Sequence, residues 1–513
     1  MIVSVAVLLA VIIILVCQLF RDHRRRTRIA LPGPRGLPLV GNAFQIDRQR
    51  SHETLAEWSR IYGEAYRINI FGQPVIVLSS VETIREALVE RGHDFAGRPR
   101  LFFRAGFMAD SYQDIVSASP GPVWNVLRRT VQREIKCTAK GDSNGHQRLD
   151  GLTADILDEM MNELLTSDVH PIDPLPRVYD AVMNMTCLML IGDRFRRDDE
   201  ELAMYKRLER LVSTVMCVGG KGVELDILPW LRFFGNSTYR KLCEAKRLRD
   251  VLYDRIQTRI DEDRKRGKDD EVRHGLAHAL LAALDGDGDR KRNSALTSNN
   301  VKLAIVNLLI GGTSSSTNYI YLLINILVQN PEVQEKLRAE ADDVVGRDRR
   351  PTVADRASMP YTVATVLELL RYGSLSPVAI PHQTVRDTRI GDVEIPREVW
   401  VFLLLRRVHH DETFWEDPYR FSPERFLDAE SGQLVTPEDQ RRRRLLSFSG
   451  GPRACPGERV AMARLFLAAV ILVQRCIVLP DNCAPQVSCD PRTFLPGLVL
   501  APRHFRAVFV RRE

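Results

Sequence analysis

Cys455 carries the clearest chemical signature in this chain, because it lies in a glycine-rich segment, FSGGPRACPG, just before a run of apolar residues at helical spacing. Gly451 and Gly457 can adopt turn conformations that residues with a Cβ avoid. Arg453 offers a planar fork of donors that suits a carboxylate. At a helix N-terminus the free amides and the helix dipole stabilise a thiolate. The segment therefore predicts a thiolate that binds a metal.

This pattern resembles the haem-binding loop of the cytochrome P-450 family, whose signature is F-x-x-G-x-R-x-C-x-G. The fixed positions are all filled, by Phe448, Gly451, Arg453, Cys455 and Gly457. The resemblance implies haem b (iron protoporphyrin IX) with Cys455 as the axial metal ligand, and Phe448 and Arg453 as cofactor-binding residues. The competing interpretation is that Cys455 is one more buried free thiol among the nine cysteines.

The resemblance covers residues 31–513. It implies a mainly α fold with a minor β-sheet part, in which one long central helix lies over the haem. We expect one catalytic domain over residues 49–513. Within it, alternation of apolar residues over 65–78 predicts a β-hairpin, and charged segments at 261–273 and 285–293 predict solvated loops.

A second segment with chemical potential is GGTSSST, which starts at Gly311 in the middle of an apolar stretch. Thr297 predicts the N-cap of a buried helix that runs to about Gln329. Two glycines inside such a helix cost roughly 1 kcal/mol each relative to alanine, which indicates another need. The segment aligns with the family motif A/G-G-x-D/E-T-T/S. There the resemblance implies that the glycines make room for dioxygen and substrate, and that the acid–alcohol pair delivers protons.

Ser315 and Ser314 are the predicted catalytic residues. Ser315 takes the place of the threonine and keeps a hydroxyl, whereas Ser314 takes the place of the acid and does not keep a carboxylate. This departure leaves alternatives open. The chain could be a haem-thiolate isomerase or dehydratase that acts on an oxygenated lipid without a reductase, or a catalytically weakened haem-binding protein. The competing interpretation of this segment is a serine-rich helix kink without a chemical role.

The segments E-L-L-R and P-E-R-F resemble two further family elements upstream of Cys455. Glu368, Arg371 and Arg425 would form a buried ion-pair triad with a structural role. The Glu-x-x-Arg spacing alone carries little information, because it recurs at Glu335/Arg338 and elsewhere; its position relative to Cys455 is what counts.

The resemblance also implies partners for the haem and the substrate. Besides Arg453, the candidates for the haem carboxylates are Arg98, Trp124, Arg128 and His382. The candidates for an apolar substrate pocket are Phe107, Ile310, Val378 and Leu498, for each of which core packing is an equally good explanation.

The N-terminus predicts membrane attachment. Residues 1–20 are almost all apolar, long enough to span a bilayer, and a basic cluster follows at 21–28. By the positive-inside tendency the rest of the chain faces the cytosol. We expect a single-pass signal anchor at 1–20 in the endoplasmic reticulum membrane, then a basic stop-transfer and proline-rich hinge at 21–48. Cysteines without a pairing pattern favour a reducing compartment.

The implied reaction is the insertion of one atom of dioxygen into a lipophilic small molecule, with electrons from NADPH through NADPH-cytochrome P-450 reductase, and with cytochrome b5 as a second candidate donor. A net charge of +7 is compatible with contacts to membrane lipid and to an acidic electron donor. No motif supports nucleic-acid binding. The predicted docking face for the donor comprises Arg128, Arg129, Arg133, Lys136, Arg459 and Arg464, with 441–444 nearby.

Overall fold

The computed structural model describes residues 29–38, 40–47, 49–100, 103–140, 145–166, 170–196, 198–216, 223–265, 275–285 and 295–512. The predicted membrane span at 1–20 and the basic cluster at 21–28 lie outside these ranges. Among the described residues, no helix has the length and apolar character needed to cross a bilayer.

Helices dominate the chain, as the sequence predicts. In chain order the α-helices are α1 (Ser51–Tyr62), α2 (Val81–Arg85), α3 (Phe103–Met108), α4 (Pro122–Lys140), α5 (Gly145–Leu165), α6 (Leu175–Ile191), α7 (Glu200–Met216), α8 (Val223–Ile227), α9 (Ser237–Lys265), α10 (Leu276–Asp285), α11 (Ser298–Gln329), α12 (Pro331–Val344), α13 (Pro360–Gly373), α14 (Leu405–His409), α15 (Gln440–Arg443) and α16 (Glu458–Arg475). A π-helical turn at Glu86–Glu90 continues α2.

The β structure is small and peripheral. Its strands are β1 (Ala65–Ile70), β2 (Gln73–Leu78), β3 (His382–Gln383), β4 (Thr388–Ile390), β5 (Val393–Ile395), β6 (Trp400–Leu403), β7 (Cys476–Pro480) and β8 (Ala507–Arg511). One sheet has the order β1-β2-β6-β3, in which β2 and β6 are parallel and the other neighbours antiparallel. The predicted hairpin over 65–78 is confirmed, with a tight connection at Phe71 and Gly72 between its strands.

Helix α11 joins two hydrophobic cores. Its N-terminal half, up to Ile310, packs with α4, α6, α7, α9 and α10. Its C-terminal half, from Tyr319 on, packs with α5, α6, α12, α13 and α16. The glycine- and serine-rich segment lies between these two halves, so it interrupts the apolar surface of the helix where the cores meet.

The predicted ends of α11 are confirmed. The side chain of Thr297 accepts a hydrogen bond from the Asn300 amide in a capping box, and the helix ends at Gln329. The solvated loop predicted at 261–273 is partly wrong, because α9 continues through Lys265. The remainder of that segment, and most of 285–293, lie outside the described residues.

Candidate active site

The loop that carries Cys455 is held by its own backbone and by the turn at Leu88. The Cys455 amide donates to the Phe448 carbonyl over 2.8 Å, which closes the loop. Gly451 has a φ of 64°, and a Cβ there would lie 1.7 Å from the Leu88 carbonyl oxygen. Glycine is therefore required at this position, as predicted. The same expectation for Gly457 is wrong, because its φ is −87° and it serves as the N-cap of α16.

Cys455 combines exposure with a densely packed surrounding. The residue is exposed to solvent, yet the surrounding protein is dense enough that burial raises the pKa of the thiol. The amides of Gly457 and Glu458 favour the thiolate, as predicted, but burial and the Glu458 carboxylate outweigh them. A bound cation such as iron would reverse this balance.

Glu368 and Arg371 form the predicted buried ion pair on α13. Two hydrogen bonds of 2.7 Å join the guanidinium to the two carboxylate oxygens, and both side chains are fully buried. Arg425 completes the triad at 3.4 Å from Glu368. The structure thus brings these three residues together.

The triad is connected to the cysteine loop through His409. Arg371 donates to the His409 carbonyl over 2.7 Å. The imidazole of His409 in turn accepts from the Leu446 amide over 2.9 Å. Ser447 donates to the Leu370 carbonyl of α13 over 3.1 Å. The segment that leads into the loop is therefore fixed to the helix that bears Glu368.

Arg98 and Arg128, which are buried, and Arg453, which is half-buried, form a cationic cluster next to this loop. Arg453 donates to the carbonyls of Ala96 and Ala118, at 2.8 and 2.5 Å. Burial, then the charges of Arg98 and Arg128, lower the pKa of Arg453 to about 8. Burial lowers the pKa of Arg98 to about 10, which the carboxylate of Asp114 partly offsets.

The charge of this cluster is not balanced by protein groups. Among the described residues, Asp114 is the one carboxylate whose charge acts on Arg98 and Arg453. Arg128 faces the sulfur of Cys455, so the three guanidinium groups together face one carboxylate and one thiol, and positive charge is in excess. Buried charges are stable only when paired, so the cluster fits a ligand with two carboxylates. The two propionates of haem b meet this requirement.

Trp124 and His382 lie at the same cluster with their polar atoms already engaged. The Trp124 indole donates to the Ile115 carbonyl over 3.1 Å, and its ring lies 4.1 Å from the Arg453 guanidinium carbon. His382 Nδ1 is 2.7 Å from the Phe95 carbonyl. If Nδ1 donates this bond, the neutral ring can only accept at Nε2. Burial, Arg98 and Arg453 keep the pKa of His382 low.

Helix α11 presents one open position in its polar segment. A Cβ on Gly311 would meet no heavy atom within 4 Å, whereas one on Gly312 would lie 3.0 Å from the Thr186 side chain. Gly311 alone thus opens space, and Gly312 allows α6 to approach, which corrects the expectation that both make room for a ligand. The Ser315 hydroxyl donates to the Gly311 carbonyl over 3.0 Å and so lies beside this space.

Ser314 has a partner that the sequence analysis missed. Its hydroxyl lies close enough to the carboxyl group of Glu209, a buried residue of α7, to lower the pKa of that group. A glutamate on the face of α7 that otherwise carries apolar residues was the available signal. Its pairing with Ser314 could not be read from one sequence, because α7 and α11 meet only in the folded chain.

The predicted substrate residues do not form one cluster. Ile310 packs in the core of α7, α9 and α10, and Phe107 packs against Tyr239 of α9 with ring centroids 5.5 Å apart. Val378 adjoins the sheet core. The Leu498 amide donates to Ser213 of α7 over 3.3 Å. A shared role in substrate binding stays a prediction.

The predicted docking face needs a correction. Arg464 is buried, and it donates to the Met185 carbonyl and the Thr186 hydroxyl, so it joins α16 to α6. Arg128 is buried as well and donates to the Ala454 carbonyl. The basic residues that remain exposed are Arg129, Arg133, Lys136, Arg443 and Arg459.

Comparisons with known proteins agree with this geometry. The family model described as Cytochrome P450 matches residues 31–509. Cytochrome P450 1A5 of Gallus gallus is 31% identical over 473 residues, which cover 90% of this chain and 87% of the relative. Cytochrome P450 1A1 of Rattus norvegicus is 32% identical over 481 residues, or 93% of this chain and 88% of the relative. Cytochrome P450 1A1 of Homo sapiens is 32% identical over 480 residues, 91% of each chain. With both the haem-loop residues and nearly the whole chain matched, this protein belongs to the cytochrome P450 family.

Proposed function

We propose that Cys455 is the axial ligand through which this haem-thiolate monooxygenase oxidises lipophilic substrates with dioxygen. The observation that carries the proposal is the position of the Cys455 sulfur. Cys455 is exposed on a loop fixed by Gly451, and it lies beside a cluster of three arginines that faces one carboxylate. The bound haem supplies the redox chemistry that activates dioxygen.

The residues of this chain would bind and orient that haem. Arg98, Arg128 and Arg453 would pair with its propionates, which would also raise the depressed pKa of each guanidinium. A propionate near His382 would favour the doubly protonated ring, which could then donate from Nε2. Phe448 would contribute an apolar surface next to the cysteine. Gly311 leaves space on the side of α11.

Cys455→His tests the ligand assignment directly. The reduced carbon-monoxide complex of the wild type should show the red-shifted Soret band of a thiolate ligand, and the variant should lose it. Cys483→His is a matched control, because this cysteine is also exposed but lies after β7. An unchanged band in Cys455→His would refute the assignment.

The reaction itself is tested with labelled oxygen. Product from a lipophilic substrate, with reductase and NADPH present, should carry one atom from oxygen gas. Conversion of a lipid hydroperoxide without NADPH would instead support the isomerase that the loss of the acid at Ser314 leaves open.

Electron delivery would use the exposed part of the basic surface. Arg129 and Lys136 of α4, Arg443 of α15 and Arg459 of α16 are exposed, and an acidic reductase is the partner of matching charge. Lys136→Glu should slow reduction by the reductase and weaken the salt dependence of its rate. Arg386→Glu, an exposed position next to the β4–β5 ribbon, is the control. Equal slowing in both variants would argue against a local docking site.

Membrane attachment would combine the apolar segment 1–20 with a surface on the catalytic domain. Trp230, Phe233 and Phe234 lie in the turn between α8 and α9, and each has more than half of its surface exposed. Exposed aromatic clusters of this kind favour the membrane interface. We place the protein at the endoplasmic reticulum membrane as a single-pass protein with its catalytic domain, residues 49–513, in the cytosol. Protease protection of a tagged N-terminus in microsomes tests this topology.

A further inference from the structure

Glu209 is a buried acid to which the function above assigns no role. It lies in the middle of α7, and 6% of its surface is exposed. The neighbouring residues Leu208 and Val212 belong to the hydrophobic core. An ionised carboxylate is costly in such surroundings unless a cation pairs with it.

Two hydroxyl groups, and no cation, contact the Glu209 carboxyl. Tyr179 of α6 donates to its Oε2 atom, and the hydroxyl of Ser314 of α11 lies close enough to lower the pKa of the carboxyl. Lys206, one turn earlier on α7, pairs with Asp180 at 2.5 Å instead. Among the described residues, no ammonium or guanidinium group influences the carboxyl. Burial therefore raises the pKa of Glu209, and the two hydroxyl groups only partly oppose this.

The other titratable groups near Glu209 hold their protons more tightly. Tyr205 of α7 donates to the Leu309 carbonyl of α11 over 3.1 Å, and burial raises its pKa. Burial also raises the pKa values of Tyr179 and of the Cys187 thiol. Glu209, a carboxyl group with an ordinary pKa of 4.5, is thus the most acidic group of this cluster.

The cluster connects solvent with the open space on α11. At its outer end, the ammonium group of Lys206 lies 5.6 Å from the centre of the Tyr179 ring, and 38% of the lysine side chain is exposed. At its inner end, Ser314 follows Gly311 by three residues, so the two are neighbours on the helix surface. Gly311 borders open space. From the outside inward, the order is therefore Tyr179, then Glu209, then Ser314, and last the open space beside Gly311.

We propose that Glu209 supplies protons through Ser314 to the haem cavity, and so provides from α7 the acid that α11 lacks at this position. The inference rests on the monooxygenase function proposed above. That reaction converts dioxygen, a substrate C–H bond, two electrons and two protons into a hydroxylated product and water. Ser314 passes its hydroxyl proton inward and takes the proton of the Glu209 carboxyl. The carboxylate then regains a proton through the Tyr179 hydroxyl, which passes on its own proton as it takes one from solvent in the same step. In this scheme Glu209 affects the reaction only through Ser314, so we class it as a positioning residue and not as a catalytic one.

Glu209→Gln tests the proton on this group without changing its shape. Infrared difference spectra of the haem-loaded protein, taken as the pH is raised, should contain the C=O band of a buried protonated carboxylic acid. The band should disappear in Glu209→Gln and shift in Ser314→Ala, which removes the neighbouring hydroxyl group. Glu200→Gln, an exposed glutamate of the same helix, should leave it unchanged. A band that persists unchanged in both Glu209→Gln and Ser314→Ala would overturn the proposal.

Coupling provides the second readout. Product formed per NADPH should fall about tenfold or more in Glu209→Gln, toward the lower end of the range for a positioned proton donor, since cavity water can replace part of it. Ser314→Asp should restore coupling in the Glu209→Gln protein, because it returns a carboxyl to α11. In the wild type it should help little, since two adjacent carboxyl groups disfavour ionisation. An equal gain from Ser314→Asp in both backgrounds would show that Glu209 is not the proton source.

The two proposals can fail separately. If the wild type forms no product labelled from oxygen gas, the monooxygenase function fails. If the wild type forms labelled product and Glu209→Gln couples equally well, the function stands and the role of Glu209 is refuted. The thiolate-type carbon-monoxide spectrum should be the same in every variant. An unchanged spectrum would show that the haem site is intact.

Discussion

Gly451→Ala is expected to displace the loop that carries Cys455. The left-handed backbone at this position, with a φ of 64°, costs an alanine about 1–2 kcal/mol. The new Cβ would also lie 1.7 Å from the Leu88 carbonyl oxygen. Ordinary contacts between heavy atoms are about 3.5 Å, so loop and turn would have to separate by about 2 Å. Overpacking of this kind typically costs about 1–3 kcal/mol. We therefore expect a total loss of about 2–5 kcal/mol.

Two other glycines separate the backbone term from the clash. Gly346 has a φ of 76°, but a Cβ there would meet open space, so Gly346→Ala should show the conformational cost alone. Gly450 has a φ of −155°, and its nearest neighbour would be 3.4 Å away, so Gly450→Ala should be nearly neutral. The assays are the thermal unfolding midpoint and the fraction of protein with the thiolate-type carbon-monoxide spectrum.

The expected pattern is a lower midpoint for Gly451→Ala and Gly346→Ala, with loss of the thiolate spectrum confined to Gly451→Ala. If Gly451→Ala keeps both its midpoint and its spectrum, the Leu88 contact does not hold the loop. If its midpoint falls only as far as that of Gly346→Ala, and the spectrum is intact, the clash is relieved elsewhere and the reasoning on the loop is wrong.

Other substitutions test the supporting charges. Arg371→Ala should lower the free energy of unfolding by about 3–5 kcal/mol, because it leaves a buried carboxylate without its partner. Arg338→Ala, in an exposed pair of the same spacing, should lower it by less than about 1 kcal/mol. Thermal unfolding measures both. Equal losses would refute a special role for burial. Arg453→Gln should raise the haem dissociation rate at least about tenfold, since charged hydrogen bonds contribute about 1.5–3 kcal/mol each. Arg443→Gln, at an exposed position, should leave that rate unchanged. Equal rates in the two variants would exclude a role of Arg453 in propionate binding. For Glu209, the raised pKa means that the folded state binds more protons than the unfolded state. The stabilising contribution of the neutral carboxyl is complete below its ordinary pKa of 4.5 and is lost as the pH rises through the raised value, so the midpoint of Glu209→Gln should gain on that of the wild type over this range. A difference that does not change with pH would mean that the pKa is not raised.

Much of the cysteine loop could be predicted because its determinants are local. The types and spacing of Gly451, Arg453 and Cys455 constrain the backbone and the chemistry within a few residues. Thr297 likewise specifies the start of α11 through a hydrogen bond to a residue three positions away. Short-range geometry of this kind does not depend on the rest of the fold. The corrections at Gly457 and Gly312 show its limit, since glycine alone does not reveal whether it provides a turn, a cap or a close helix contact.

The electrostatics of the site depended on contacts between distant segments. Arg459 and Arg464 are both arginines of α16, yet Arg464 lies buried between α16 and α6, while Arg459 is exposed. Glu368 and Arg371 repeat a spacing found on exposed helices, and only packing by the rest of the domain removes water from this pair. Burial determines whether such charges are solvated, paired or neutral, and burial is a property of the assembled chain.

By itself, the sequence predicted a metal-binding thiolate and a long helix with a hydroxyl-rich centre, because both follow from local residue types and spacing. The resemblance of the cysteine loop to that of the family implied that the metal is the iron of a haem. It also showed that Ser314 stands where the family motif has an acid. Only the tertiary structure brings Glu209, our candidate for its replacement, close to Ser314 from a helix about a hundred residues earlier in the chain. Such a contact arises from the packing of α7 against α11, and no pattern within either helix specifies which side chain of the other it will meet.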